Sequence, residues 1–405
     1  MLWLYNIGIQ FYGSIIAIFA LFNRKAALFT KGRVNLLKKV GQIIDPTKKH
    51  IWFHFASLGE FEQGRPVLEK IKKVYPGKRI VITFFSPSGY EIRKDYPEAD
   101  GVFYLPLDTS YNANKLIAAF NPEMVIFTKY EYWYHYYNTL STRQIPIFII
   151  SGIFRPGQIY FKWYGGFNRK ILSFVSHFFV QNEESKNLLQ QINIANVTVS
   201  GDTRFDRVSE NAQSPKQLEI VARFSKNEKV FIAGSSWPED EQLISELAKV
   251  QSDWKFIIAP HEIDRNHISN IERLFPNSIK FSNAGVENTA QVLIIDNIGL
   301  LSSIYQYGNI AYIGGGFGVG IHNTLEAAAF GIPVIFGPNY QRFQEAKDLI
   351  SIGGAKSISN NAELNNAFKS LTSTPEPGQL AGRYVDEQKG STEKIFNYLF
   401  SRLEQ

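Results

Sequence analysis

Short apolar runs alternate with longer amphipathic stretches along almost the whole of this 405-residue chain, and that alternation leaves few folds open. The runs Ile51–Phe55, Arg79–Phe84, Gly101–Tyr104, Met124–Thr128, Ile145–Ile150 and Phe178–Val180 have the length and the β-branched, aromatic content of buried strands. Strands separated by helical stretches imply parallel βαβ units, because a parallel pair needs a long crossover connection. The polar segment Arg207–Lys216 interrupts the pattern and reads as a linker. Beyond it the alternation restarts with Val230–Ala233, Lys255–Ala259, Val292–Ile295, Ile310–Ile313, Pro333–Phe336 and Ala355–Ile358. The expectation is an α/β chain of two doubly wound domains facing a cleft, with the C-terminal ends of the strands turned towards it, where ligands bind in such folds.

The most specific local pattern lies late in the chain. Gly314-Gly315-Gly316-Phe317-Gly318-Val319-Gly320 follows the strand Ile310–Ile313, and a helix is expected to begin near Asn323. Glycines let a backbone come close to a ligand, and a helix N-terminus offers unpaired N–H groups to a phosphate. Glu326, one turn into that helix, is placed to accept hydrogen bonds from ribose hydroxyls. No Gly-Lys-Ser/Thr follows, so this is not a P-loop, and its position late in the chain fits the dinucleotide fingerprint poorly. The alternative is a plain tight turn. Ala233-Gly234-Ser235-Ser236-Trp237 opens the second half with small hydroxyl residues suited to phosphate. His261, Glu262 and Arg265 follow the next strand. The seven histidines show no ligand spacing, so no metal is expected, and no cofactor.

In the first half, Ala56-Ser57-Leu58-Gly59-Glu60 joins a strand to a helix. A carboxylate at such a turn is a general base if burial raises its pKa; equally, it caps the helix and complements its dipole. Glu131 follows the strand Met124–Thr128 amid Lys129, Tyr130, Tyr132 and Trp133, either converging with Glu60 or pairing with Lys129 or Arg155. Arg204, in Gly201-Asp202-Thr203-Arg204-Phe205-Asp206, is placed to hold a carboxylate or phosphate, or to pair locally with Asp202 or Asp206.

Composition narrows the function classes. With no cysteine, a disulfide scaffold, a thiolate metal site and a cysteine nucleophile are excluded. The net charge of +6 is weighted towards Arg24, Lys25, Lys31, Arg33, Lys38, Lys39, Lys48 and Lys49. These follow Met1–Asn23, an apolar stretch without a charged residue. An apolar segment with basic residues on its C-terminal side reads as a retained anchor, spanning or interfacial, on an anionic membrane surface with the body in the cytoplasm. A buried first helix is the alternative. No zinc-finger, RNA-binding or helix-turn-helix pattern supports a nucleic-acid partner.

Taken in order, these motifs resemble those of the 3-deoxy-D-manno-octulosonic acid (Kdo) transferases of lipopolysaccharide synthesis. Ser57-Leu58-Gly59-Glu60 is similar to the family's Ser-Val-Gly-Glu, and Thr83–Gly89 to its Thr-rich turn ending in Gly. Glu131-Tyr132-Trp133 is similar to Glu-Leu-Trp, and Gly201–Asp206 to Gly-Asn-Leu-Lys-Phe-Asp. Ala233–Ser236 is similar to Ala-Gly-Ser-Thr, Asp296–Leu301 to Asp-Thr-Met-Gly-Glu-Leu, and Gly320–Glu326 to Gly-Gly-His-Asn-Pro-Leu-Glu. The chain departs at His261, where the family has an arginine, at Leu300 in place of Glu, and at Lys129 in place of the first Glu of Glu-Thr-Glu.

The resemblance implies a GT-B fold of two Rossmann-like domains behind an N-terminal hydrophobic helix. The segments would be an anchor at 1–23, an acceptor domain at 24–208, a donor domain at 217–378, and a C-terminal helix at 379–405 packing back on the first domain. It implies CMP-Kdo as donor and a lipid A precursor (lipid IVA) as acceptor at the inner membrane. It also implies Glu60 as general base, with Glu131 and Arg204 as transition-state stabilisers. CMP would be bound by Ser235, Ser236, His261, Glu262, Arg265, Ile298, Gly299, Leu300, Asn323, Thr324, Leu325 and Glu326. Readings from other classes are a sugar-nucleotide epimerase of the same fold and a non-catalytic membrane scaffold.

Overall fold

The computed structural model describes residues 1–285 and 289–403. The chain divides into two compact units, Met1–Asp206 with Gly390–Gln405, and Arg207–Lys389.

The first unit opens with three helices, α1 (Leu2–Phe19), α2 (Arg24–Lys31) and α3 (Leu36–Ile43). Seven strands follow: β1 (His50–Phe55), β2 (Arg79–Phe84), β3 (Gly101–Tyr104), β4 (Pro122–Thr128), β5 (Ile147–Gly152), β6 (His177–Val180) and β7 (Val197–Val199). They form one parallel sheet in the order β3-β2-β1-β4-β5-β6-β7. Every residue of β1 is buried. Successive residues feed opposite layers: Trp52 packs with Val125 and Phe127 on one face, and Ile51, Phe53 and Phe55 pack with Ile126 on the other. Burial on both faces is why this strand is largely apolar rather than alternating, with His50 and His54 its only polar residues.

The helix α4 (Leu58–Val74) covers the second face. Gly64 permits its approach, since a Cβ there would meet the Phe55 ring and lie 2.9 Å from Thr128 Oγ1. Residues 379–405 are divided between the helices Glu376–Gln388 and Ser391–Leu403 by Gly390, whose φ is +106°. The last helix joins the layer over α4 through Ile395, Phe396 and Leu399, with Lys70 paired to Glu393 at 2.9 Å. Asp206 caps it by accepting from the Thr392 N–H at 2.7 Å and its hydroxyl at 2.8 Å.

The second unit repeats the plan with β8 (Lys229–Ser236), β9 (Trp254–Pro260), β10 (Ser278–Lys280), β11 (Val292–Ile294), β12 (Ile310–Ile313), β13 (Val334–Phe336) and β14 (Ala355–Ser357). All pairings are parallel, in the order β10-β11-β9-β8-β12-β13-β14.

Three features differ from the sequence expectation. The expected linker Arg207–Lys216 is largely helical, because Thr203–Gln213 forms one helix. Its apolar stripe is only Phe205 and Val208, both buried, too sparse to stand out among polar neighbours. The strands β7 and β10 are not expected from the sequence, because their three residues each are only partly buried and form no apolar run. Both lie at a sheet edge, where one flank needs no apolar cover.

Candidate active site

In each sheet the strand order reverses once beside the first strand, and the motifs fall at those two points. In the first unit β1 lies next to β4, and their C-terminal turns carry Glu60 and Glu131. In the second β8 lies next to β12, and their turns carry Ser235–Trp237 and the glycine loop. Open α/β sheets take ligands at such switch points, because diverging connections leave a crevice beyond the strand ends.

Glu60 sits in the first turn of α4, where it accepts a hydrogen bond from the Ser57 hydroxyl at 3.1 Å. Burial pushes its carboxyl above the usual range, and the charge of Glu131 pushes it further. The Ser57 hydrogen bonds and Lys129 oppose that rise without cancelling it. Glu131 is held in place by side chains: the indole N–H of Trp133 donates to its Oε2 at 2.8 Å, and His54 Nε2 lies 3.4 Å from the same atom. The other His54 nitrogen bonds Thr83 Oγ1 at 2.8 Å, and that hydroxyl also accepts from Trp52 Nε1 at 2.8 Å. His54 is therefore a buried strut between β2 and the carboxylate. Lys129 leaves β4 with a left-handed φ of +63°, a strained conformation for a side chain with a Cβ, of the kind that collects at functional turns.

Arg204 lies near the start of its helix and bonds Asp202 through Nε at 2.9 Å and Nη2 at 2.8 Å. Burial pushes the Asp202 carboxyl up, but the charge and hydrogen bonds of Arg204 outweigh it and hold the group below the usual range. Asp202 also accepts from the Gln63 amide at 3.3 Å, one turn along α4 from Glu60. The local pair weighed as an alternative for Arg204 is thus present, and through Gln63 it fixes the guanidinium on the same side of α4 as Glu60.

In the second unit Asp240, buried, organises the turns that follow β8 and β12. One oxygen accepts from the Tyr312 hydroxyl at 2.7 Å, and the other from the N–H of Gly315 at 2.9 Å and of Trp237 at 3.0 Å. The glycine loop and the β8 turn are thereby tied to one carboxylate. Gly314 and Gly316 serve this packing. A Cβ on Gly314 would overlap the backbone of Ser235 and Ser236, and one on Gly316 would sit 2.6 Å from Gly337. Those two glycines bring backbone against backbone, not against a ligand, which corrects part of the earlier expectation. Gly318 stays open, and a cavity of about 170 Å³ lies among Trp237, Asp240, Gly315, Phe317, Gly318 and Val319.

Three rings stack beside this loop. His261 lies over Trp237 at 4.8 Å and over His322 at 4.4 Å. The Trp237 indole N–H donates to His322 Nε2 at 3.2 Å, so the ring proton of neutral His322 sits on Nδ1. Burial and the neighbouring His261 lower the His322 pKa to about 4, which keeps it neutral at physiological pH.

The remaining expected residues divide. Ser235 takes a strained φ of +52°, but the Ser236 hydroxyl is buried and donates to Glu241 at 2.9 Å. Glu241 in turn meets His267 Nε2 at 2.9 Å. Ser236 can offer a ligand its backbone only. The helix expected near Asn323 is the single turn Leu325–Ala328, so its dipole is weak and loop amides carry any anion binding. Asn323 caps Leu325 N at 3.1 Å and donates to Glu326 at 3.1 Å, while the buried Thr324 hydroxyl has no partner among the described residues. Ile298 and Gly299 form an exposed turn, Gly299 with φ +85°. After Leu300 the chain returns to the end of β8, where Leu301 lies 3.1 Å from a Cβ built on Gly234. Glu262 and Arg265 are solvent-exposed at the head of the helix Arg265–Leu274. Sequence reasoning did not single out His54, Asp240 or the Trp237–His322 bond. Of these only Asp240 left a signal, as the third helical residue after Trp237. Among the described residues no group of three or more His, Asp or Glu side chains is placed to hold a metal.

Two parallel sheets, each with its site residues at the switch point, define a chain of GT-B type. The structure of UDP-GlcNAc 2-epimerase from Neisseria meningitidis bound to UDP-GlcNAc has the same fold, with a TM-score of 0.60 at 18% identity, covering 87% of this chain and 99% of that one. The family is more specific. A model described as 3-deoxy-D-manno-octulosonic-acid transferase (kdotransferase) matches residues 30–207. The 3-deoxy-D-manno-octulosonic acid transferase of Chlamydophila psittaci is 29% identical over 355 residues, 84% of this chain and 80% of that protein. That of Aquifex aeolicus is 27% identical over 361 residues, 87% of this chain and 94% of its own. The likeness to Kdo transferases thus runs over most of this chain, and it supports a glycosyltransferase.

Proposed function

We propose that this protein transfers Kdo from CMP-Kdo to a primary hydroxyl of a lipid A precursor, lipid IVA, at the cytoplasmic side of the inner membrane. The observation that carries the mechanism is Glu60, a half-buried carboxylate near a second carboxylate, Glu131, at the switch point, with its pKa raised above the usual range by burial and by that charge. That environment suits a general base, since a base works best when its pKa lies near the working pH.

Glu60 takes the proton of the acceptor hydroxyl as its oxygen attacks the anomeric carbon. The bond to the CMP phosphate breaks on the opposite face, and the configuration inverts. Glu131, oriented by His54 and Trp133, stabilises the positive character that develops on the sugar. Arg204, braced by Asp202, holds the negative charge of the Kdo carboxylate or departing phosphate. In the second unit the amides of the glycine loop and the Nδ1–H of His322 receive the CMP phosphate, and Glu326 the ribose. His261 supplies an imidazole where relatives of the family have arginine. CMP leaves as a phosphate monoester, so the reading needs no metal.

The test is mass spectrometry of the product formed by purified full-length protein from CMP-Kdo and lipid IVA. A lipid heavier by one or more Kdo units supports the reading. An isomerised sugar nucleotide with unchanged lipid would point to an epimerase and sink it.

A further inference from the structure

We propose that the first unit rests on one leaflet of an anionic bilayer, with α1 lying in the membrane plane and the Trp163–Tyr164 loop as a second insertion point, rather than hanging from a helix that crosses the bilayer.

The argument begins with how α1 is fastened. Its less exposed positions are Tyr5, Ile9, Gly13, Ile16 and Ala20 at its end, spaced four, four, three and four residues apart. That is one continuous stripe of a helix. The Tyr5 hydroxyl donates to Asp108 Oδ2 at 2.5 Å, and Asn6 Oδ1 meets His135 Nε2 at 2.7 Å. Tyr12 packs on Phe29 and Phe85, and Gly13 lets the helix pass so close to Leu107 that a Cβ would lie 2.6 Å from it. A rod held along its length has its axis along the domain surface. Standing it across the bilayer would drag Asp108 and His135 into hydrocarbon. By length and apolarity its 18 residues, about 27 Å, could cross a ~30 Å core, so the side-chain fastenings and not the length argue for the in-plane axis.

The opposite face is built for lipid. Leu4, Ile7, Phe11, Ile15 and Ile18 recur at three- and four-residue spacing and all point to solvent, Phe11 with 66% of its surface exposed. Asn6, Gln10 and Ser14 form a polar flank. The helix runs into exposed Leu21 and Phe22, then into exposed Arg24, Lys25 and Lys31, complementary to anionic headgroups. Arg33 is not part of this basic set, contrary to the sequence reading. Its guanidinium donates to the carbonyls of Leu105, Phe29 and Phe85.

Trp163 is 90% exposed, with Tyr164 beside it. Four residues on, Phe167 packs against Tyr5 at 5.6 Å, which places this loop next to the first turns of α1. Exposed tryptophan and tyrosine prefer the headgroup level. From this surface a short chain of rings leads inward: Tyr12 stacks on Phe85, Phe85 lies 4.9 Å from Trp133, and Trp133 bonds Glu131. A lipid-borne acceptor would thus reach the carboxylates without leaving the leaflet. That route rests on the transfer reading above; the orientation of α1 does not.

The native chain has no cysteine, so single-cysteine labelling is clean. Leu4→Cys, Phe11→Cys and Ile18→Cys in the full chain would carry a depth-sensitive fluorophore on phosphatidylglycerol–phosphatidylethanolamine vesicles. All three labels should sit at one shallow depth, about 5–10 Å below the headgroups. A graded series, with position 11 near the midplane and positions 4 and 18 towards opposite faces, would overturn the in-plane orientation, as would absence of vesicle binding. Trp163→Ala should weaken partitioning roughly tenfold with the thermal midpoint unchanged. Unaltered partitioning would remove the second contact. These readings use no substrate, so they stand or fall apart from Kdo transfer.

Discussion

The exchange Glu60→Gln separates the two roles this residue can have. The amide keeps the size of the side chain and can still accept from the Ser57 hydroxyl, but it cannot take a proton. Loss of a general base should lower kcat/KM by about 10²–10⁴, equivalent to roughly 2.7–5.5 kcal/mol of barrier. Stability should move the other way. The Glu60 pKa is raised in the folded state, so between the unfolded value of 4.5 and the folded value the native protein binds more protons than the unfolded chain. Its stability therefore falls as pH rises through that window, and at neutral pH the ionised group costs stability. Glutamine removes that cost together with the repulsion from Glu131, so the midpoint of thermal unfolding at pH 7.5 should hold or rise. If Glu60 served only to complement the dipole of α4, the variant would instead lose about 0.3–1 kcal/mol, or roughly 1–4 °C. Calorimetry and initial rates on one preparation decide the matter. Near-normal turnover with a lowered melting point would refute the assignment.

Three further outcomes are expected. Glu131→Gln removes a charge that raises the Glu60 pKa, so the acid limb of the kcat/KM profile should move to lower pH; a limb that stays in place would uncouple the two carboxylates. Trp237→Phe keeps the ring stack but loses the hydrogen bond to His322 Nε2, which should raise the KM for the donor about two- to tenfold and release the Nδ1–H tautomer, readable by ¹⁵N NMR of the histidine ring. Gly314→Ala forces a methyl into the backbone of Ser235 and Ser236, costing about 1–3 kcal/mol and abolishing CMP binding by calorimetry, whereas Gly318→Ala, with only the Gly315 carbonyl at 3.8 Å, should be tolerated.

Sequence alone determined the class of fold and most of the strands. Both-sided burial in a parallel sheet writes itself as continuous apolar runs, and β2, β3 and β12 were legible to the residue. It also placed Glu60, Glu131 and the glycine loop at strand ends, because turn residues and carboxylates after apolar runs are local signals. Tertiary structure decided what those residues do. Strand order put β1 beside β4 and β8 beside β12, and no local pattern encodes which strands become neighbours. Only packing revealed that His54 and Trp133 aim Glu131, that Asp240 ties the glycine loop to the Trp237 turn, and that Ser236 is committed to Glu241. The apolar segment at the N-terminus makes the same point. Its composition leaves a membrane anchor and a buried first helix both open, and how the helix lies is decided by Asp108 and His135, more than a hundred residues away, which hold Tyr5 and Asn6.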